Sequence, residues 1–243
     1  MSWPSSASIL SLASGPLIAE QNIPQPRKRD RDHHCLLQMT TATASPAMDC
    51  SAWQIADVFV TARGAKIYKA TAPEGLPCAW VPAARVRAPF GPGSFDKDPN
   101  ASRLNLDICV EDEEFLHECE ELDRWAVKYL AEHSERLFRK KMTEIEVLAA
   151  YTPCMRPPKD PKYSPLLKTK VDRQGRRAIT FWNADGEQGA EPQEWRRYEL
   201  RVAMVVSHLW QMGASFGLVI QVTDVQLFPR EGVEPAARSN PFA

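Results

Sequence analysis

Hydrophobic and polar residues alternate along much of the chain after about residue 50, and this alternation is typical of half-buried β-strands. The segment 103–110 shows the pattern clearly, because Leu104, Leu106, Ile108 and Val110 are separated by polar or charged residues or by a cysteine. Further strand-like segments occupy residues 58–62, 66–70, 78–81, 84–88, 166–171, 178–182, 199–210 and 218–228. The last two flank Met212-Gly-Ala-Ser-Phe-Gly217, whose glycines suit a hairpin connection. We therefore expect a mainly β domain of short strands.

One stretch follows a helical period instead. Acidic residues crowd its start at 111–114 and basic residues its end at 136–141, which complements the helix dipole. Apolar residues recur between them at helical spacing, namely Phe115, Cys119, Leu122, Ala126, Tyr129 and Leu130. The pattern predicts one long helix, from about Asp112 to Lys141, that packs against the sheet. Strands and helix together predict a small closed antiparallel barrel with an inserted amphipathic helix.

The chain divides into three parts by composition. Residues 1–50 are rich in Ser, Ala, Thr, Pro and Gln without a sustained period, which predicts a disordered tail. Residues 51–230 would form the folded domain, and residues 231–243 a flexible C-terminal tail. No apolar run approaches the roughly 18 residues that a membrane span needs, so no membrane partner is expected. The six cysteines form no Cys-x-x-Cys pair, which favours free thiols in a reducing compartment, nuclear or cytoplasmic, over secretion.

The formal net charge of −1 conceals two segments of opposite charge. Residues 156–182 carry eight basic residues against two acidic ones, a net charge of +6. Residues 107–146 carry thirteen acidic residues against six basic ones, a net charge of −7. Because a partner responds to the local field, the near-neutral total is compatible with a polyanionic partner.

Motifs that would indicate catalysis lack the context they need. Gly213-Ala-Ser-Phe-Gly217 matches a nucleophile elbow, but a strand-like segment follows where a helix is required, and no histidine follows His208. Glu114-Phe-Leu-His117 has the spacing of a di-iron ligand pair, but no second copy occurs. No phosphate-binding loop or dinucleotide fingerprint is present. We therefore expect no catalytic residues, no metal site and no cofactor, and predict that the protein is not an enzyme.

Basic and aromatic residues are interleaved on the predicted strands, which favours binding of an unpaired nucleic-acid strand. Cations neutralise phosphates and release counterions, while aromatic rings stack on bases. The candidate binding residues are Lys159, Lys162, Tyr163, Lys168, Lys170, Arg173, Arg176, Arg177, Trp182, Arg201, Trp210 and Phe216. Alternatively, the basic strands are only solvated faces, one of Phe181 and Trp182 lies in the core, and Trp210 and Phe216 fill the barrel.

Three motifs also resemble a known family. They are the block from Lys159 to Val171 (Lys-Asp-Pro-Lys-Tyr-Ser-Pro-Leu-Leu-Lys-Thr-Lys-Val), the turn Phe181-Trp-Asn-Ala-Asp-Gly, and the hairpin from Leu209 to Val222. Their order resembles that in the single-stranded-DNA-binding-like OB-fold proteins of large DNA viruses of protists and of some protists. The resemblance is clearest over residues 156–229.

The resemblance implies an OB-type barrel with an inserted helix and a strand face for unpaired DNA. It also implies contacts from Lys159, Lys162, Tyr163, Lys168 and Lys170, and it leaves open whether Trp210 and Phe216 stack on bases. The resulting hypothesis is a sequence-tolerant, non-enzymatic single-stranded DNA-binding protein of replication or repair, and an assembly of several copies is compatible with it. RNA remains an alternative target, since stacking and phosphate contacts serve both polymers. The alternative function is a protein-interaction module that uses the acidic helix and the Pro-rich loops.

Overall fold

A computed structural model of the chain describes residues 48–62, 64–94, 98 and 101–230. The predicted tail at 1–50 lies almost wholly outside the described residues, and the predicted tail at 231–243 lies entirely outside them. The strands are β1 (Gln54–Val60), β2 (Lys66–Thr71), β3 (Cys78–Trp80), β4 (Arg103–Cys109), β5 (Tyr151–Thr152), β6 (Met155–Arg156), β7 (Leu166–Asp172), β8 (Thr180–Trp182), β9 (Gln188–Gly189), β10 (Tyr198–Met212) and β11 (Ser215–Pro229). The helices are α1 (Glu113–Glu132), α2 (Ser134–Phe138) and α3 (Glu144–Ala150).

All eleven strands in the described part of the chain belong to one sheet, so the mainly β prediction is confirmed. Its main path runs β1-β2-β10-β11-β7-β4. The long hairpin of β10 and β11 forms the centre, and the predicted hairpin at 199–228 corresponds to it. β2 and β3 pair with β10, while β5, β7 and β8 pair with β11 in the parallel direction.

The predicted closed antiparallel barrel is not what the described residues form. The sheet is mixed, because three strands run parallel to β11, and no ladder joins its two ends, β1 and β4. Isolated antiparallel β-bridges connect Val86 to Leu200, Arg87 to Cys109 and Gly93 to Asn105. The segment 86–93 therefore passes between β10 and β4 without forming a strand beside either of them.

The predicted helix at 112–141 is divided in two. Asp112 caps the start of α1 by accepting a hydrogen bond from the Phe115 backbone N–H at 2.9 Å. α1 ends at Glu132, and the Ser134 hydroxyl donates to the Ala131 carbonyl and accepts from the Met142 N–H. Side-chain bonds of this kind compete with the helical backbone ladder. After α2, Arg139 adopts a left-handed conformation with φ of 60°, which stops the helix.

The helices cover the inner face of the sheet. Five of the six residues in the predicted α1 stripe are buried, namely Phe115, Cys119, Leu122, Ala126 and Leu130, while the sixth, Tyr129, is partly buried. Side chains fasten α1 to the strands, since the Tyr129 hydroxyl accepts from the Ile55 N–H at 3.0 Å and the Trp80 indole donates to Glu118 at 3.0 Å. No helix in the described part of the chain is long and apolar enough to cross a bilayer.

Phe216 belongs to the core. Its side chain is 2% exposed, and its ring stacks on that of Phe138 in α2 with a centroid separation of 5.0 Å and an interplanar angle of 17°. Of the two alternatives for this residue, the structure therefore supports core packing over base stacking. The ring instead packs α2 against the start of β11.

We predict that Phe216→Ala lowers the free energy of unfolding by about 3–5 kcal/mol, because it removes a buried ring and leaves a cavity. Urea unfolding monitored by circular dichroism measures this change. Phe90→Ala is the matched control, since Phe90 is 78% exposed and its removal leaves no cavity. Equal unfolding midpoints for the two variants would contradict the core placement of Phe216.

Candidate nucleic-acid interface

We call the face of the sheet that lies opposite the helices the outer face. Strand register places two rows of side chains on it. In the first row, Lys69 of β2 lies opposite His208 of β10, which lies opposite Val219 of β11. The second row runs from Asn105 through Lys170 and Gln221 to Val205. Directly opposed side chains on antiparallel strands have Cβ atoms about 4.5–5.5 Å apart, so the members of the first row are direct neighbours. The second row is interrupted at Gln221, which is 1% exposed because its side-chain amide donates to Asp172 and to the Arg177 carbonyl oxygen.

Two predicted lysines of β7 point to this outer face. Lys170 is half-buried, and its Nζ donates to Asn105 Oδ1. Burial lowers the pKa of Lys170, and the positive charge of Arg103 lowers it further. Lys168 is exposed and lies opposite Asp107, whose carboxylate bonds instead to Arg156 at 3.0 Å. Lys168 and Lys69 have no ion-pair partner among the residues that the structure describes, so both can receive a phosphate.

A neutral histidine lies among the cations. Ser207 Oγ is 2.9 Å from His208 Nδ1 and accepts a hydrogen bond from Arg177 Nη1 at 3.4 Å. Burial, followed by the positive charges of Arg103 and Arg177, lowers the pKa of His208 to about 4. One carboxylate offsets these charges in part, because Asp172 lies 3.7 Å from Arg103. The middle of the outer face therefore holds an excess of positive charge.

Trp210 lies beside this charged region. On β10 it stands opposite Ile67 of β2 on one side and Gly217 of β11 on the other. A Cβ at position 217 would come within 3.1 Å of the Trp210 Nε1 and within 2.9 Å of the Thr152 carbonyl oxygen. Glycine thus provides the room that the half-buried indole needs against β11. The structure leaves Trp210 on the outer face rather than in the core.

Trp182 and Arg201 lie on the same face but farther along β11. Both flank Gln226, which pairs with Arg201 on one side and with Trp182 on the other. The Trp182 indole N–H donates to Asp224 at 3.0 Å, which fixes its half-buried ring. At about 3.3 Å per residue, Gln226 is roughly 15 Å from Gln221 along the strand. These two residues can therefore extend the central cluster but do not belong to it.

The remaining predicted residues lie on two turns. Lys159, Lys162 and Tyr163 occupy the loop between β6 and β7, where the Tyr163 ring is 62% exposed and Lys162 Nζ lies 4.8 Å from its centroid. Lys162 is also 3.0 Å from Asp160. Arg173 and Arg176 follow β7, and Arg173 is held by Glu191 at 2.8 Å. The turn that follows β7 also carries Arg177, whose carbonyl oxygen accepts a hydrogen bond from Gln221 at 3.4 Å.

Sequence reasoning missed Lys69, Arg103 and His208. They come from β2, β4 and β10, which lie far apart in the chain and meet only through strand pairing. Alternation within 66–70 could have shown that Lys69 and Tyr68 face opposite sides. No local signal could have placed Lys69 beside His208. No group of three or more His, Cys, Asp or Glu residues in the described part of the chain could hold a metal ion.

The solved structures similar to this chain include a protein of a bacteriophage. The single-stranded DNA-binding protein of bacteriophage Enc34, in complex with single-stranded DNA, is similar with a TM-score of 0.38 and 8% identity, covering 73% of this chain and 93% of that one. Its C-terminal truncation gives a TM-score of 0.40 and 6% identity, covering 75% and 98%. No protein-family model matches the chain, and no curated protein matches its sequence.

The lowered pKa of His208 makes stability depend on pH. The folded-state pKa of about 4 lies below the ordinary value of 6.5, so the unfolded chain binds more protons between these pH values. We predict that the free energy of unfolding falls as the pH drops from about 6.5 towards 4, and that His208→Gln makes this fall shallower. Urea unfolding at pH 7, 6 and 5 measures both slopes.

The matched control is His117→Gln, which removes an exposed histidine from α1. It shows the effect of removing a histidine from an exposed position. If His208→Gln gives the same dependence on pH as the wild type, the account of His208 as a neutral group held among cations is wrong.

Proposed function

We propose that this protein binds single-stranded DNA on the outer face of its sheet, without sequence preference and without catalysing a reaction. The observation that supports it most strongly is the combination of cations and an indole on neighbouring strands. Lys69 pairs with His208 of β10, and Arg177 contacts Ser207 of the same strand. Lys168 and Lys170 lie on β7, on the far side of β11, and Trp210 follows His208 by two residues on the outer face. Phosphates need the cations, and an unpaired base needs the flat ring.

The chemistry of this face favours an unpaired strand over a duplex. An indole stacks on a base only when the base surface is available, as it is in a single strand. Every base has such a surface and every nucleotide carries a phosphate, so neither contact selects a sequence. Burial and neighbouring charges lower the pKa values of Lys170 and His208, and a bound phosphate would offset the repulsion that contributes to both shifts.

The remaining predicted residues extend this proposal. Trp182 and Arg201 would contact the strand farther along β11, while the loop with Lys159, Lys162 and Tyr163 would contact it beside β7. A protein of this kind would coat unpaired DNA exposed in replication or repair. RNA would be accommodated by the same stacking and phosphate contacts, so a dT and an rU oligonucleotide of equal length form part of the test.

We predict that the protein binds a labelled dT oligonucleotide of about 30 nucleotides more tightly than a duplex of equal length. Fluorescence anisotropy at several salt concentrations measures both. Each phosphate contact contributes about 0.7 to the slope of log K against log salt for a single strand. The double variant Lys69→Ala/Lys168→Ala should therefore lower the slope by about 1.4, whereas Lys128→Ala, on the exposed side of α1, should leave it unchanged.

Trp210→Ala should weaken binding by about 1–3 kcal/mol while keeping the salt slope, because it removes stacking and no charge. Absence of binding to the single strand at low salt would refute the proposed function. Stoichiometric recovery of a protein partner after nuclease treatment would then favour the protein-interaction module. Equal affinity for the duplex would refute the preference for unpaired strands.

A further inference from the structure

Phe59 of the edge strand β1 is a large aromatic side chain that is 66% exposed. It pairs with Ile67 of β2, and Ile67 in turn pairs with Trp210 of β10. Phe59, Ile67, Trp210 and Gly217 therefore form a third row across four strands, next to the row of Lys69 and His208. Phe59 and Trp210 are separated by two strand spacings, which is about 10 Å.

A β-bulge determines which face Phe59 joins. The register shifts between Ala56 and Val58. As a result, Ile55 and Val58 both point to the inner face: Ile55 is fully buried, and Val58 lies opposite the buried Tyr68. Without the extra residue, strict alternation from Ile55 would turn Phe59 inward as well. The bulge therefore brings Phe59 onto the outer face.

The neighbours of Phe59 on β1 have a different environment. Val58 and Val60 are 57% and 56% exposed, and both line a groove on the inner side together with Tyr68 and Leu137. They have similar exposure to Phe59 but lie on the opposite face from Lys69, in a groove that Lys66, Arg136 and Arg139 also line. This difference supplies a control on the same strand.

The charge beside Phe59 favours a nucleobase as its partner. Lys69 follows Ile67 by two residues on the same face and pairs with Ala56 of β1. Its ammonium group has no ion-pair partner among the described residues, so it stands ready for a phosphate of a strand that reaches β1. An aromatic ring beside an unpaired cation on a strand is the arrangement that holds unpaired nucleic acid. An apolar surface of a second copy would instead bring another Lys69 close by.

We propose that Phe59 is a second base-stacking residue, so that the bound strand crosses from Trp210 over Ile67 to the edge strand β1. This inference rests on the proposed function and adds the path that the bound strand takes over the sheet. The bound strand runs across β10, β2 and β1 at this end of the sheet, with its phosphates beside Lys69. The face that receives DNA then extends to the edge of the sheet.

The test replaces the ring while keeping an apolar side chain. Phe59→Leu should weaken binding of the labelled dT oligonucleotide about tenfold, which corresponds to about 1.4 kcal/mol, and should keep the salt slope. Phe59→Tyr should bind with wild-type affinity, because it keeps an aromatic ring that can stack on a base. Val58→Ala should bind like the wild type. In the wild-type protein, an oligonucleotide with 5-iododeoxyuridine should photocrosslink to the peptide that contains Phe59.

The outcomes separate this inference from the proposed function. If the wild type does not bind the single strand, the proposed function fails and this inference with it. A second outcome concerns Phe59 alone. If the wild type binds and Trp210→Ala weakens binding, but Phe59→Leu neither weakens binding nor alters the crosslinked peptide, then only the role of Phe59 is overturned. A wild-type dimer in sedimentation that Phe59→Leu converts to a monomer, at unchanged affinity for DNA, would overturn it in favour of an interface between copies.

Discussion

The antiparallel pairing of β10 with β11 is the interaction on which the rest of the structure depends. Both strands are fifteen residues long, and each gives its outer edge to further strands: β2 and β3 join β10, while β5, β7 and β8 join β11. A slip of one residue in this pairing would exchange the faces, bringing Trp210 inward and Leu209 outward. The hydrophobic core and the outer face are therefore fixed by the same register.

Bulges modify that register where the binding residues lie. From Leu200 to Val206, every second residue of β10 is buried, and the next buried residue is Leu209. The shift at Ser207 accounts for the change, because strict alternation would have turned His208 inward. Phe59 on β1 reaches the outer face by the same means. In both strands one additional residue converts an inward position into a position on the outer face.

The parts of the fold that could be predicted from sequence are those that depend on local periodicity. Alternation located β4 and the β10–β11 hairpin, and the helical stripe located the buried side of α1. The parallel pairing of β7 with β11, the open sheet and the placement of Lys69 beside His208 depend on contacts between distant segments, which periodicity does not encode. Phe216 shows the same limit, since its partner Phe138 lies on a helix about 80 residues away.

Charged and apolar side chains occupy different rows of the outer face. Burial and then the positive charge of Arg103 lower the pKa of Lys170, and burial and then the charges of Arg103 and Arg177 lower the pKa of His208, so holding these groups together costs free energy. A bound polyanion would relieve this repulsion, whereas a neutral ligand would not. The row of Phe59, Ile67 and Trp210 carries no charge and can approach bases without desolvating an ion. Because both rows follow from one register, β2 offers a cation and an apolar side chain two residues apart, Lys69 and Ile67, to the same bound strand.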